Sequence, residues 1–222
     1  MKISVLILFL LVVIFPQIAT AQSKLSPTVG LFYNGTSFKE DVHGMGLILG
    51  LEYMTRKDHF FSTELRTKFG YYSFDDGTKW DIDDNGALKP PVNLGDPRLE
   101  YKLFAPQVGV VPKFHYVLDE SISFFVENDF SIGIMAGKFN YIDKINHDTK
   151  KNFTDFTFAF NVGLGCEVKE NKWSLLGSIG YSTLNFKDKI KKHQPLNYQG
   201  YIPNQNAGLY VNIIFKFPLC NK

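Results

Sequence analysis

Between Phe153 and Val168 the chain reads FTDFTFAFNVGLGCEV, and taking alternate positions separates it into two chemically different sets. Phe156, Phe158, Phe160, Val162, Leu164, Cys166 and Val168 form one; Asp155, Thr157, Ala159, Asn161, Gly163, Gly165 and Glu167 form the other. A period of two is the signature of a β-strand, whose successive side chains point to opposite faces. An apolar face of this length, set against small and charged residues, suits a tilted crossing of a ~30 Å hydrocarbon layer. The expectation is a transmembrane β-strand, and the rest of the chain decides the class by how often it repeats the unit.

It repeats it well. A weakly patterned first strand covers Thr28 to Asn34; a second, Gly44 to Met54, alternates Met45, Leu47, Leu49, Leu51 and Tyr53 with Gly44, Gly46, Ile48, Gly50 and Glu52. The third sets Phe61, Thr63, Leu65, Thr67, Phe69 and Tyr71 against Ser62, Glu64, Arg66, Lys68 and Gly70. Three consecutive charges on one face must meet water or opposite charge. The fourth, about Arg98 to Val117, contains Pro106 and Pro112, and each removes a ladder donor, so bulges or a break are expected there. The fifth places Ile122, Phe124, Val126, Phe130, Ile132 and Ile134 opposite Phe125, Glu127, Asp129, Ser131 and Gly133. After the sixth, described above, Trp173 to Ser182 and Gly208 to Phe217 complete an expected set of eight.

The connections carry an independent signal. Those after strands two, four and six are short, whereas Ser73 to Pro97, Lys138 to Asn152 and Lys187 to Gln205 are long and polar. Short turns on one side and long loops on the other are the habit of outer-membrane barrels, with the turns in the periplasm.

The start of the chain agrees. Lys2 precedes an apolar run from Ile3 to Phe15, and Ala19-Thr20-Ala21 precedes Gln22. A basic start, a short apolar stretch and an A-x-A site make a cleaved secretory signal peptide over residues 1–21, followed by a barrel domain over 22–222. The competing reading, a membrane anchor, requires a longer apolar run. With 24 basic and 22 acidic residues the charge gives no argument for nucleic-acid binding. Cys166 and Cys220 lie in an oxidising compartment on this reading; they fall on or after strands that are not neighbours, so two unpaired thiols are favoured over a bridge.

The chain resembles the small eight-stranded outer-membrane barrels, OmpA-like and OmpX-like, and the broader outer-membrane protein β-barrel domain family. The residues that carry the resemblance are the A-x-A-Q junction, the run ISFFVENDFSIG from Ile122 to Gly133, and the closing strand GLYVNIIFKF from Gly208 to Phe217. Family barrels often finish on a terminal aromatic, whereas here Pro218 to Lys222 follow Phe217. The resemblance implies the outer membrane of a Gram-negative bacterium and an all-β, antiparallel, up-and-down transmembrane barrel. The implied partners are outer-membrane lipid and lipopolysaccharide, with other envelope proteins as candidates.

Alternation alone leaves open which face points outward, and a soluble lipocalin-like barrel with an apolar cavity is the alternative. Small residues suit a narrow interior, and the charged face carries both signs: Glu52, Glu64, Glu100, Glu127, Asp129, Asp155 and Glu167 with Arg66, Lys68, Lys102 and Lys216. These are expected to form a charge-paired lumen and to leave no open pore. Two weaker sites are of interest. Asp81, Asp83 and Asn85, followed by Gly86, match the first half of a calcium loop, but Lys89 and Val92 stand where its later ligands belong. Lys187, Lys189, Lys191 and Lys192 form a basic cluster suited to lipopolysaccharide phosphates. No catalytic residue and no cofactor are expected: His147-Asp148 and His43 are the histidines best placed for a lipid-modifying or proteolytic site, and no nucleophile motif accompanies them. The expected role is structural or adhesive, or that of an accessory subunit of an envelope or secretion complex, the latter because an irregular fourth strand would offer a partner an edge.

Overall fold

A computed structural model describes residues 24–37, 40–55, 60–75, 81–82, 88–89, 98–142, 149–184, 186–193 and 208–217. In chain order the elements are β1 (Lys24–Ser37), β2 (Glu40–Thr55), β3 (Phe61–Asp75), β4 (Asp81–Ile82), β5 (Leu88–Lys89), β6 (Arg98–Val117), β7 (Ile122–Ile142), β8 (Thr149–Lys169), β9 (Ser174–Ser182), α1 (Lys187–His193) and β10 (Gly208–Lys216). Eight strands close into one barrel of order β1-β10-β9-β8-β7-β6-β3-β2, every described pair antiparallel. The closing seam pairs Thr28 with Lys216 and Gly35 with Leu209. β4 and β5 form a separate two-stranded ribbon between β3 and β6.

The pleat sorts the two faces as the alternation requires. On β8, Leu164 is 64% exposed and Glu167 fully buried. Across the middle of the barrel the exposed positions are rich in Leu, Ile, Val, Phe, Tyr and Met, while the Glu, Arg, Lys, Ser, Thr and Asn side chains of the opposite face are buried. The apolar face therefore points outward, which is opposite to a lipocalin-like barrel with an apolar cavity.

Three expectations need correction. Pro106 and Pro112 cause neither bulge nor break: β6 keeps one register against β3 and one against β7 along its length. Ladder pairs with β7 are missing only at 105–106 and 111–112, where the proline nitrogens have no proton to donate. The single described register shift in the barrel lies between Gly35 and Ser37. Second, much of the stretch from Lys138 to Asn152 is strand, since β7 runs to Ile142 and β8 starts at Thr149. Ladder hydrogen bonds persist where the outward face is no longer apolar, so the strand continues after its belt alternation has faded. Third, the stretch after β9 holds the short helix α1, with Asp188 in its first turn and Lys191, Lys192 and His193 in its last, matching the helix dipole.

Candidate functional site

The inward faces of β2, β3, β6, β7, β8 and β10 bring five carboxylates and four cations together in the middle of the lumen. Glu52 and Glu64 are direct partners across β2 and β3. Like charges so placed repel, and the Lys113 ammonium lies against both, 2.9 Å from Glu52 Oε2 and 2.8 Å from Glu64 Oε2. Arg66 donates from Nη2 to Glu64 Oε2 at 2.7 Å and to Glu127 Oε2 at 3.0 Å. The other oxygen of Glu127 accepts from Ser178 at 2.7 Å, Tyr210 at 3.0 Å and Asn212 at 3.2 Å. Lys68 pairs with Asp129, and Lys216 bridges Glu52 and Glu167. Stripping these groups of water costs several kcal/mol per ion unless each finds partners, which is why the network extends continuously across strands.

Two glycines make room for it. A Cβ at Gly50 would strike Glu64 Oε1 and Thr28 Oγ1, which are hydrogen-bonded at 2.7 Å; one at Gly163 would strike the Tyr210 hydroxyl that reaches Glu127.

Of the expected lumen charges, Glu52, Glu64, Arg66, Lys68, Glu127, Asp129, Glu167 and Lys216 are brought together here. Glu100 and Lys102 are not. They share the outward parity of Phe104 and lie beyond the apolar belt, Lys102 exposed and Glu100 accepting from Asn140 at 3.4 Å. Asp155 faces inward but sits at the loop end, where it holds Lys189 at 3.4 Å, Lys192 at 3.0 Å and His193 at 3.2 Å. Two lysines of the expected lipopolysaccharide cluster thus pair with Asp155, Lys192 while still exposed; Lys191 is exposed too, and the Lys187 side chain lies outside the described residues. Asp81 pairs with Lys89 in the ribbon, while Asp83 and Asn85 lie outside the described residues, as do His147 and Cys220; Cys166 is free and on the outward face. Sequence reasoning missed Lys113 and His115. The signal was available: a constant period of two from Leu103 through Ala105, Gln107, Gly109 and Val111 reaches both.

Each end of the lumen has its own character. At the loop end Tyr72, Tyr101, Leu103, Met135 and Phe139 are buried, and Phe186, just before α1, inserts among them with its ring 4.6 Å from Tyr72. Phe139 stacks on Phe153 at 4.9 Å, and Phe153 on His193 of α1 at 4.6 Å. This is an apolar plug with a helix latched over it. At the turn end a cavity of about 650 Å³ opens outward, and Glu52, Glu167 and Lys216 line its inner part. The charge network closes the path between plug and cavity.

The sequence profile of the outer membrane protein β-barrel domain matches residues 7–215. The chain belongs to that family. Among solved structures, a major outer membrane protein from Thermus thermophilus matches at 11% identity with a TM-score of 0.55, covering 90% of this chain and 100% of that one. Ail, the attachment invasion locus protein of Yersinia pestis, in complex with the heparin analogue sucrose octasulfate, matches at 11% identity and a TM-score of 0.44, covering 89% and 99%. The outer membrane enzyme PagL matches at 17% identity and a TM-score of 0.30, covering 88% and 99%. These likenesses concern the fold. No curated protein matches by sequence.

One constellation in the barrel wall of this outer membrane protein bears on an enzymatic reading. Ser62 Oγ lies 2.8 Å from His115 Nε2, and His115 Nδ1 lies 3.9 Å from Glu167 Oε2. The order is that of a nucleophile, a base and an orienting acid. The second step is too long for a hydrogen bond. Ser62 is fully buried in the wall, and neither it nor His115 lines the turn-end cavity. Its backbone lies in the ladder between Met54 and Lys113, the wrong place for an exposed nucleophile with free amides beside it for an oxyanion.

Proposed function

We propose that this outer-membrane barrel is non-enzymatic, with its lumen filled by its own side chains, and that it acts at the cell surface in a structural or adhesive role. Residues 1–21 are removed on export, the turn end faces the periplasm, and the loop end faces outward. The observation that carries this reading is the lumen: a charge network in the middle and an aromatic plug above it fill the described interior, and the Ser62–His115 pair is buried in the wall.

What remains for function is outer surface. β6, β7 and β8 continue past the last belt residues, Phe104, Ile134 and Phe156, as far as the pairs Arg98–Ile142 and Tyr141–Thr149. At ~3.3 Å per residue this wall rises roughly 20 Å beyond the belt, a rigid sheet suited to contact with another surface. An accessory-subunit role would draw its support from an irregular β6, and the continuous register of that strand removes the motivation.

The test is fractionation followed by electrophoresis with and without boiling. Recovery in the outer-membrane fraction with a heat-dependent mobility shift is expected. Recovery in the soluble periplasmic fraction would overturn the reading.

A further inference from the structure

On the outer wall the apolar belt ends at a definite row. Tyr71, Phe104, Ala136 and Thr154 lie side by side across β3, β6, β7 and β8, and Tyr71 and Phe104 are each 47% exposed. Aromatic rings at this position mark the level where acyl chains give way to headgroups. The next row on the same face, one step toward the loop end, is Ser73, Lys102, Lys138 and Asn152, all four exposed.

Lys102 and Lys138 are direct cross-strand partners. Directly opposed like charges are destabilising, with Cβ atoms ~4.5–5.5 Å apart. No ion pair among the described residues engages either ammonium; Glu100, one row further out, accepts from Asn140 at 3.4 Å and pairs with neither lysine. That outer row reads Asp75, Glu100, Asn140 and Lys150 across the four strands, with Lys150 exposed. The Lys102 row therefore presents two ammonium groups that no ion pair among the described residues engages, flanked by a hydroxyl and an amide, every one a hydrogen-bond donor.

The geometry points to a phosphate-binding site for an outer-leaflet glycolipid, in which Lys102 and Lys138 hold one headgroup phosphate between them while its acyl chains lie along Tyr71 and Phe104. A phosphate shared by both ammonium groups removes their repulsion and forms charge-assisted hydrogen bonds. The position favours a lipid over a soluble anion, because the lysines adjoin the belt directly and their aliphatic stems can lie on its edge. The site is distinct from the α1 lysines, two of which are held by Asp155.

This rests on the preceding reading that the loop end faces outward. The test uses the full chain folded in detergent micelles, titrated with phosphorylated and with dephosphorylated lipopolysaccharide, for the native protein and for Lys102→Gln/Lys138→Gln. The native barrel is expected to prefer the phosphorylated lipid by at least about tenfold, and the double variant to lose that preference while keeping its heat-dependent mobility shift. Lys189→Gln/Lys192→Gln is expected to keep the preference. A native barrel without preference, a double variant that retains it, or equally potent competition by inorganic phosphate would overturn the site. A native protein that never reaches the outer membrane would instead overturn the reading beneath it.

Discussion

Glu52 and Glu64 stand directly opposite each other on β2 and β3, and the Lys113 ammonium lies 2.9 Å from one carboxylate and 2.8 Å from the other. One buried cation thus compensates two facing anions. Lys113→Met keeps much of the volume and removes the charge, leaving the carboxylates to Arg66 and Lys216 alone. The expected loss is about 3–5 kcal/mol, typical of a buried pair that loses one partner. It is read as a lower urea midpoint for loss of the heat-modifiable form. Adding Glu52→Gln should recover part of the loss, and a double-mutant cycle without coupling would contradict the contact.

Asp155 gathers Lys189, Lys192 and His193 of α1. The Lys192 side chain is 62% exposed, so pairs of this kind are worth only about 0.2–1 kcal/mol each. Asp155→Asn is therefore expected to leave the barrel's unfolding midpoint nearly unchanged while loosening the helix. Limited trypsin digestion should cut first between Lys187 and Lys192, and earlier than in the native protein. A rate equal to native would mean that Phe186 and the Phe153–His193 stack hold the helix without the ion pairs.

Most of the barrel was legible because lipid imposes a rule on alternate residues: β6 begins and ends where its sequence indicates, and the inward face of β8 is the set that runs from Asp155 to Glu167. What escaped lies where that rule lapses. Beyond the belt the faces of β6 exchange character, with Tyr101 and Leu103 filling the apolar plug and the outward face meeting polar surroundings, so charge no longer marks the lumen, and Glu100 and Lys102 turn out to face outward. Pro112 obscured the parity of the strand and with it Lys113, the cation that joins Glu52 to Glu64. The helix α1 has no barrel periodicity to announce it; its anchor, Phe186, is read only once the aromatic plug is assembled.

Ser62 and His115 offer a chemical test of the non-enzymatic reading. A fluorophosphonate probe, which reacts with activated serines, should not label the folded barrel, and Ser62→Ala should leave labelling at background. Labelling of the native protein that disappears in Ser62→Ala would show that the buried hydroxyl is both reachable and activated.

The central claim is that the lumen is closed by its own side chains, by the network around Arg66 and Lys113 and by the plug around Tyr72 and Phe186. The most direct measurement is conductance of the purified, refolded protein in planar lipid bilayers. A membrane holding heat-modifiable barrels is expected to show no stepwise current at moderate voltage. Discrete, reproducible conductance steps would contradict the account, because ions would then be passing through a path that the structure fills.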